Sequence, residues 1–472
     1  MAAAQPPVDG ARPLPTDVAE SLQHKVSRAQ TDWRSPSVVV RVVRRGEVQL
    51  DAWAGSADLG PDGTADPALL EPGPDVQYRM GSITKTFTAA LVLQARDDGL
   101  LDLDDRLEAH LDVPAHGQVT LRRMLCHLSG LQREPVGDVW ESLRGPDLDT
   151  MLADLAAADA VLSPQQRWHY SNLAYALLGQ VAAQVRGGTW AEVLADRVLR
   201  PLGLTRTTVD PTPPTARGYF VDPYADRLRP EPLFPGFAFA PAAELWTTTT
   251  DLARWAAFWA EPDEAVLKAS TVAEMTHLHA MADLQQWTLG WGLGLMLHRR
   301  GERFFVGHDG AMPGFLASMV VHRDSGLGVV ALTSTSRAAD PFSLAVDLAE
   351  TVLDAVPDLP SAWRPGAAVP ADVEGLLGTW WTEGMEFAAS WRAGSEPDVD
   401  GEEGGHLELR AAGAAASRPP AVLRRDGEDR WRVVSGREQG EALRVVRDEA
   451  GLPTRLYWAT YPMTRQPLPF GA

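Results

Sequence analysis

The sequence predicts an α+β fold: one antiparallel sheet flanked by helices, an all-helical insert, and a small antiparallel β-barrel-like domain at the C-terminus. Three observations predict it. β-prone runs stand at both ends of the first three quarters of the chain, amphipathic helices lie between them, and the composition changes after a Pro- and Ala-rich stretch.

The opening β-prone runs, residues 37–44 and 48–55, are joined by Arg45-Gly46 and read as a hairpin. Residues 81–98 carry Ile83, Phe87, Ala90 and Leu91 at helical spacing, with Gly99 as the stop. Residues 172–185 repeat the pattern through Ala174, Leu177, Leu178, Val181 and Val185 before Gly187-Gly188. The runs 295–306, 315–323 and 327–334 are strand-like, broken by Arg300-Gly301 and Asp324-Ser325-Gly326, and extend the opening hairpin's sheet. A last helix is expected over 341–353.

A chain of 472 residues is too long for one ordinary core. The expected division is a tail over 1–20, a main domain over 21–356, a linker over 357–371 and a β-rich domain over 372–472. Trp380, Trp381 and Trp431 are the expected core of the last, with residues 394–405 and 411–420 as its low-complexity loops.

A formal net charge of -20 opposes phosphate backbones and anionic membranes, so nucleic acid and lipid are not expected partners. The first 17 residues lack a charged leader and an apolar run, and Cys126 is the single cysteine. Both point to a cytoplasmic protein without a disulfide framework. His277-x-His279 has no third ligand nearby in sequence, so no metal and no cofactor are predicted.

Three of the 43 basic residues are lysine: Lys25, Lys85 and Lys268. A lysine in a chain that otherwise uses arginine invites a chemical reason, because an amine can lose its proton and a guanidinium cannot. Lys85 follows Ser82 by three residues at a helix start, which places both side chains on one face. A hydroxyl becomes a nucleophile when a neighbouring base takes its proton. Ser-x-x-Lys alone is a common accident, and two further pieces change its weight. Tyr170-Ser171-Asn172 lies 88 residues on, and in an extended approach to the second helix Tyr170 and Asn172 face one cleft. The same residues also read as a core tyrosine and a helix cap. His308-Asp309-Gly310 follows after another 138 residues, at the edge of the strand-rich region.

With these motifs the sequence resembles the serine β-lactamase and penicillin-binding protein superfamily, above all its class C β-lactamase-like esterases and D-aminopeptidases. Ser82-x-x-Lys85 resembles the first motif, Tyr170-x-Asn172 the second and His308-x-Gly310 the third. Residues 78–82, 125–131, 201–204 and 307–310 are similar as well, and the likeness spans roughly residues 20 to 355. It implies a β-lactamase/transpeptidase-like fold. The implied mechanism has Lys85 and Tyr170 activating Ser82, an oxyanion held by the backbone N–H groups of Ser82 and Ala311, and Asn172 and Gly310 binding substrate.

The C-terminal domain is similar to the lipocalin-like additions of some relatives. His308 stands where many members carry lysine, and the missing cation turns the expectation from β-lactams towards a small ester or amide, foremost an ester. A β-lactamase, a D-amino-acid-specific peptidase and a weakly acylating penicillin-binding sensor remain the alternatives; self-association is left open. Residues 210–241 read equally as an aromatic lid or an ordinary loop, and Trp246, Trp287 and Trp291 as acyl-pocket walls or core. Ala242-Ala243-Glu244 stands where relatives usually carry a Gly-Gly turn.

Overall fold

The computed structural model describes residues 13–60, 70–336, 339–358, 369–397, 403–415 and 418–468. They form two compact units, Met1–Asp358 and Leu359–Ala472.

In the first unit the described residues form an eight-stranded antiparallel sheet. Its strands in chain order are β1 (Ser37–Arg44), β2 (Glu47–Gly55), β3 (Ala280–Met281), β4 (Leu289–Trp291), β5 (Met296–Arg300), β6 (Arg303–Met312), β7 (Phe315–His322) and β8 (Leu327–Thr333). They lie side by side as β2-β1-β8-β7-β6-β5-β4-β3. The opening hairpin and the late strands thus share one sheet, with β1 paired to β8 from Val38↔Thr333 to Arg44↔Leu327. Every residue of β1 is buried, because the sheet is covered on both faces.

One face packs on α1 (Thr16–Trp33) and α5 (Pro341–Ala355) through Leu22, Val26, Val38, Val40, Leu348 and Val352. The other, through Val39, Val43, Met319 and Val330, meets α2 (Thr84–Asp97), α3 (Asn172–Arg186) and α4 (Thr249–Ala260). Between residues 99 and 171 the described elements are short helical turns, as expected of the insert; the brief hairpin Tyr219–Val221/Leu228–Pro230 comes after α3.

Helix α2 lies at the centre of this layer, buried along Thr84–Ala95. Two of its buried hydroxyls are paired with indoles: Thr86 accepts from Trp255 Nε1 at 2.8 Å and Thr88 from Trp190 Nε1 at 3.1 Å. Phe87 stacks on Trp255 with ring centroids 4.1 Å apart.

Two expectations for this unit need correction. Helix α1 starts at Thr16, inside the expected tail, and its weak apolar stripe of Leu22, Val26 and Ala29 explains why it escaped a periodicity reading. The turn expected at Arg300-Gly301 is present: the segment 295–306 is two strands reversed at Gly301, which adopts φ +61. His308-Asp309-Gly310, expected at the edge of the strand-rich region, lies within β6, a ten-residue strand in the interior of the sheet.

In the second unit eight antiparallel strands follow one another in order: β9 (Gly378–Thr382), β10 (Met385–Pro397), β11 (Glu403–Ala411), β12 (Ala421–Arg425), β13 (Arg430–Ser435), β14 (Ala442–Arg447), β15 (Pro453–Trp458) and β16 (Tyr461–Met463). Trp381 and Thr464 exchange both backbone hydrogen bonds, at 2.7 and 2.9 Å, so first and last strands meet and the barrel nearly closes. Trp380 and Trp431 are in its core with Trp458, whereas Trp381 is half-buried. The loops expected over 394–405 and 411–420 are partly strand, in β10 and β11; residues 398–402 and 416–417 lie outside the described residues, as do 359–368 of the expected linker.

Candidate active site

The nucleophile candidate stands at a sharp change of chain direction. Tyr78–Arg79 pairs with Trp246–Thr247 as a short ladder, Gly81–Ile83 makes a single 3-10 turn, and α2 follows. Gly81 takes φ +53, and a Cβ there would lie 2.5 Å from the Ala311 nitrogen. A Cβ on Gly310 would lie 1.8 Å from the Met80 carbonyl oxygen and 3.2 Å from the Ser82 nitrogen. Two glycines therefore let β6 and the turn touch, which brings the Ser82 and Ala311 amides to one place.

Gly81→Ala is expected to cost at least about 1 kcal/mol from its φ alone. The displaced turn should slow acylation by about 10²-fold. Thermal unfolding and single-turnover kinetics would read the two effects, and unchanged kinetics would show that this contact does not seat Ser82.

Lys85 Nζ lies 3.0 Å from Ser82 Oγ and donates to the Ala242 carbonyl at 2.7 Å. The residue has no exposed surface. Burial holds its amine well below the ordinary lysine range, with the Arg133 charge adding to the effect and Glu134 opposing it. In its unprotonated form the amine can give one hydrogen to Ala242 and keep its lone pair for the Ser82 hydroxyl. The other two lysines carry no such signal: Lys25 pairs with Asp347 at 2.8 Å, and Lys268 precedes a short helix without a side-chain cap bond. Ala242, at the place where relatives usually carry a Gly-Gly turn, supplies the carbonyl that orients Lys85; Glu244 beside it holds the buried Arg79 at 2.9 Å.

Tyr170 sits over Lys85, with Nζ 4.9 Å from its ring centroid. Burial raises its phenol and the nearby Ser82 side chain pulls it partly back, so it stays protonated. Behind it His127 is fully buried, 4.3 Å ring to ring. The Ser171 N–H donates to His127 Nδ1 at 3.1 Å, which puts the imidazole hydrogen on Nε2. Burial and the Lys85 charge hold His127 well below the usual imidazole range.

His308 is buried too, and burial with the Lys85 charge pushes it down to about 3. Its Nδ1 is 2.6 Å from the Asp309 carbonyl oxygen and donates there, leaving Nε2 unpartnered. It is a neutral acceptor in the cavity wall. Asp309 is raised to about 6 by burial while Ser318 donates to it at 2.7 Å.

A cavity of about 500 Å³ joins Ser82, Tyr170, His308, Gly310 and Ala311 with Arg133, Trp168, Trp291, Asp309 and Asp340. Of the three tryptophans offered as pocket walls, Trp291 alone lines it; Trp287 is exposed and Trp246 packs on Phe315. No residue of 210–241 lines it. Phe234 and Phe239 instead pack with Trp140.

Asn172 does not line the cavity. Its Nδ2 donates to Glu134 Oε1 at 2.8 Å, and the N-cap of α3 is Ser171, whose Oγ accepts from Ala174 N–H. Arg133, Glu134 and His127 went unsingled in sequence because no spacing rule marks them; His127 lay within a recognised stretch without a role. Among the described residues no group of three metal-ligating side chains occurs, and no helix is long and apolar enough to cross a membrane.

The Beta-lactamase family model matches residues 22–353. The chain belongs to the Beta-lactamase family. The match covers the first unit almost entirely, and a domain of unknown function (DUF7586) matches residues 369–465. Human putative beta-lactamase-like 1 is 28% identical over 440 residues, 88% of this chain and 83% of the relative. Penicillin-binding protein 4 of Amycolatopsis lactamdurans is 29% identical over 343 residues, 66% of this chain and 86% of the relative.

Among solved structures, the octameric penicillin-binding protein homologue from Pyrococcus abyssi shares the fold at TM-score 0.63 and 21% identity, over 94% of this chain and 99% of its own. A D-stereospecific amidohydrolase from Streptomyces sp. aligns at TM-score 0.57 and 25% identity, over 71% and 98%. This Beta-lactamase family member is accordingly a hydrolase of the serine β-lactamase fold.

Proposed function

We propose that Ser82 is the nucleophile of a hydrolase that forms an acyl-enzyme with a small ester or amide, esters first. The observation that carries this reading is the 3.0 Å approach of the fully buried Lys85 Nζ to Ser82 Oγ, which lines the cavity. Lys85 takes the hydroxyl proton as Oγ bonds to the carbonyl carbon. The oxyanion forms beside the Ser82 and Ala311 amides. Tyr170, protonated, gives its proton to the departing alcohol or amine as that bond breaks, and recovers one from Lys85. Water then attacks the acyl carbon and returns Ser82.

The ester preference rests on His308. A neutral imidazole offers no fixed charge to a β-lactam carboxylate at the third motif, and an alkoxide leaves more easily than an amide nitrogen. The D-stereospecific amidohydrolase keeps a D-amino acid amide as a second reading.

The test is incubation with p-nitrophenyl esters of short acids, a D-amino acid p-nitroanilide and a chromogenic cephalosporin. Repeated ester turnover without cephalosporin cleavage is expected. Faster anilide than ester turnover would reverse the order, and a single stoichiometric burst would mark a slowly acylating sensor.

A further inference from the structure

The third motif lacks its cation, yet the cavity holds one. Arg133 enters from the loop before α3, where its backbone carbonyl accepts from the Asn172 and Leu173 N–H groups at 2.7 and 3.1 Å. The residue is thus pinned to the start of the helix that carries the second motif. Its guanidinium lies 4.9 Å from the Tyr170 ring centroid. Nε faces Glu134 Oε1 at 3.4 Å, and that oxygen is already shared with Asn172. Among the described residues neither Nη group has a hydrogen-bond partner. On the same ring, Trp168 stands 6.1 Å centroid to centroid, and its buried Nε1–H is unpartnered as well. The Arg133 side chain is exposed, so water serves its Nη groups until a ligand displaces it, whereas the buried Trp168 Nε1–H costs stability unless a ligand accepts from it.

We propose that Arg133 is a binding point for an anionic group of the substrate, a carboxylate held on the Tyr170 side of the reacting carbonyl, with Trp168 Nε1 as a second donor. This rests on the Ser82 reading for its catalytic meaning. The guanidinium presents two N–H groups to a carboxylate, a match that lysine lacks. Asp309 and Asp340 line the same cavity. Their carboxylates oppose an anion beside them, which favours its placement against the Arg133 guanidinium. The substrate class is a monoester or monoamide of a dicarboxylic acid.

The experiment uses the full chain and its Arg133→Gln and Arg133→Lys variants. Monoethyl glutarate, ethyl valerate and ethyl 4-aminobutyrate form an anionic, neutral and cationic series, and glutarate binding is followed by titration calorimetry. Arg133→Gln is expected to lower kcat/KM for the anionic ester at least about tenfold more than for the neutral one, mainly through KM. Arg133→Lys should restore part of the difference, and about 0.5 M salt should shrink it.

An equal loss for all three esters, or a wild-type preference for the cationic ester, overturns the proposal. Glutarate binding lost in Arg133→Gln supports it even without turnover. Labelling of Ser82 by a fluorophosphonate, read by mass spectrometry, separately tests the acyl-enzyme reading: labelling without glutarate binding sinks the anion site alone, and binding without labelling sinks the nucleophile.

Discussion

Ser82→Ala protein is expected to lose turnover by a factor on the order of 10⁶ in kcat, the scale on which serine hydrolases fail without their nucleophile. Lys85→Met should fall by about 10²–10⁴, the usual contribution of a general base. Methionine keeps the unbranched length that fills the centre of α2 and leaves no charge buried, so circular dichroism should match the parent. Esterase assays on both variants make the comparison, and a Ser82→Ala protein with parental activity would end the acyl-enzyme account.

The wild-type pH profile adds a second check. Lys85 acts when unprotonated, and burial holds it well below the ordinary range, so activity should rise with pH and level off while free lysines are still charged. Burial pushes His308 down to about 3, so a limb between about pH 5 and 8 would belong to Asp309, raised to about 6, and not to the third-motif imidazole.

Trp255→Ala is expected to cost about 3–5 kcal/mol, the range for emptying a buried tryptophan site. The ring is fully buried against Phe87, and its Nε1–H donates to Thr86 on the turn of α2 that carries Lys85. Denaturant unfolding would measure the loss. Because the cavity opens under α2, the folded fraction should also acylate more slowly; a variant with parental stability would show that neighbouring side chains refill the space.

The motifs were legible because helical spacing fixes geometry locally. Ser82 and Lys85 had to share a face, and lysine scarcity gave that face a chemical meaning. The sheet was legible in its strands, since Val38 to Val43 and Leu327 to Thr333 can only be buried. What escaped belongs to contacts between distant segments. Nothing local to Ala242 says that its carbonyl receives Lys85, and nothing beside Arg133 says that it stands over Tyr170. Asn172 adds a contact of the same kind: Glu134, 38 positions earlier, engages its Nδ2, while its Oδ1 has no partner.

The pairing of β1 with β8 bears on how the protein is made. Val38 meets Thr333 across almost 300 residues, and β1 has no exposed position in the finished sheet. At translation speeds of about 5–20 residues per second, that strand waits roughly 15–60 s for its partner. During that interval a valine-rich ribbon lacks its neighbour, so folding of this unit is slow and non-local. Its yield in a cell will depend on shielding a nascent segment that the mature enzyme never shows to solvent.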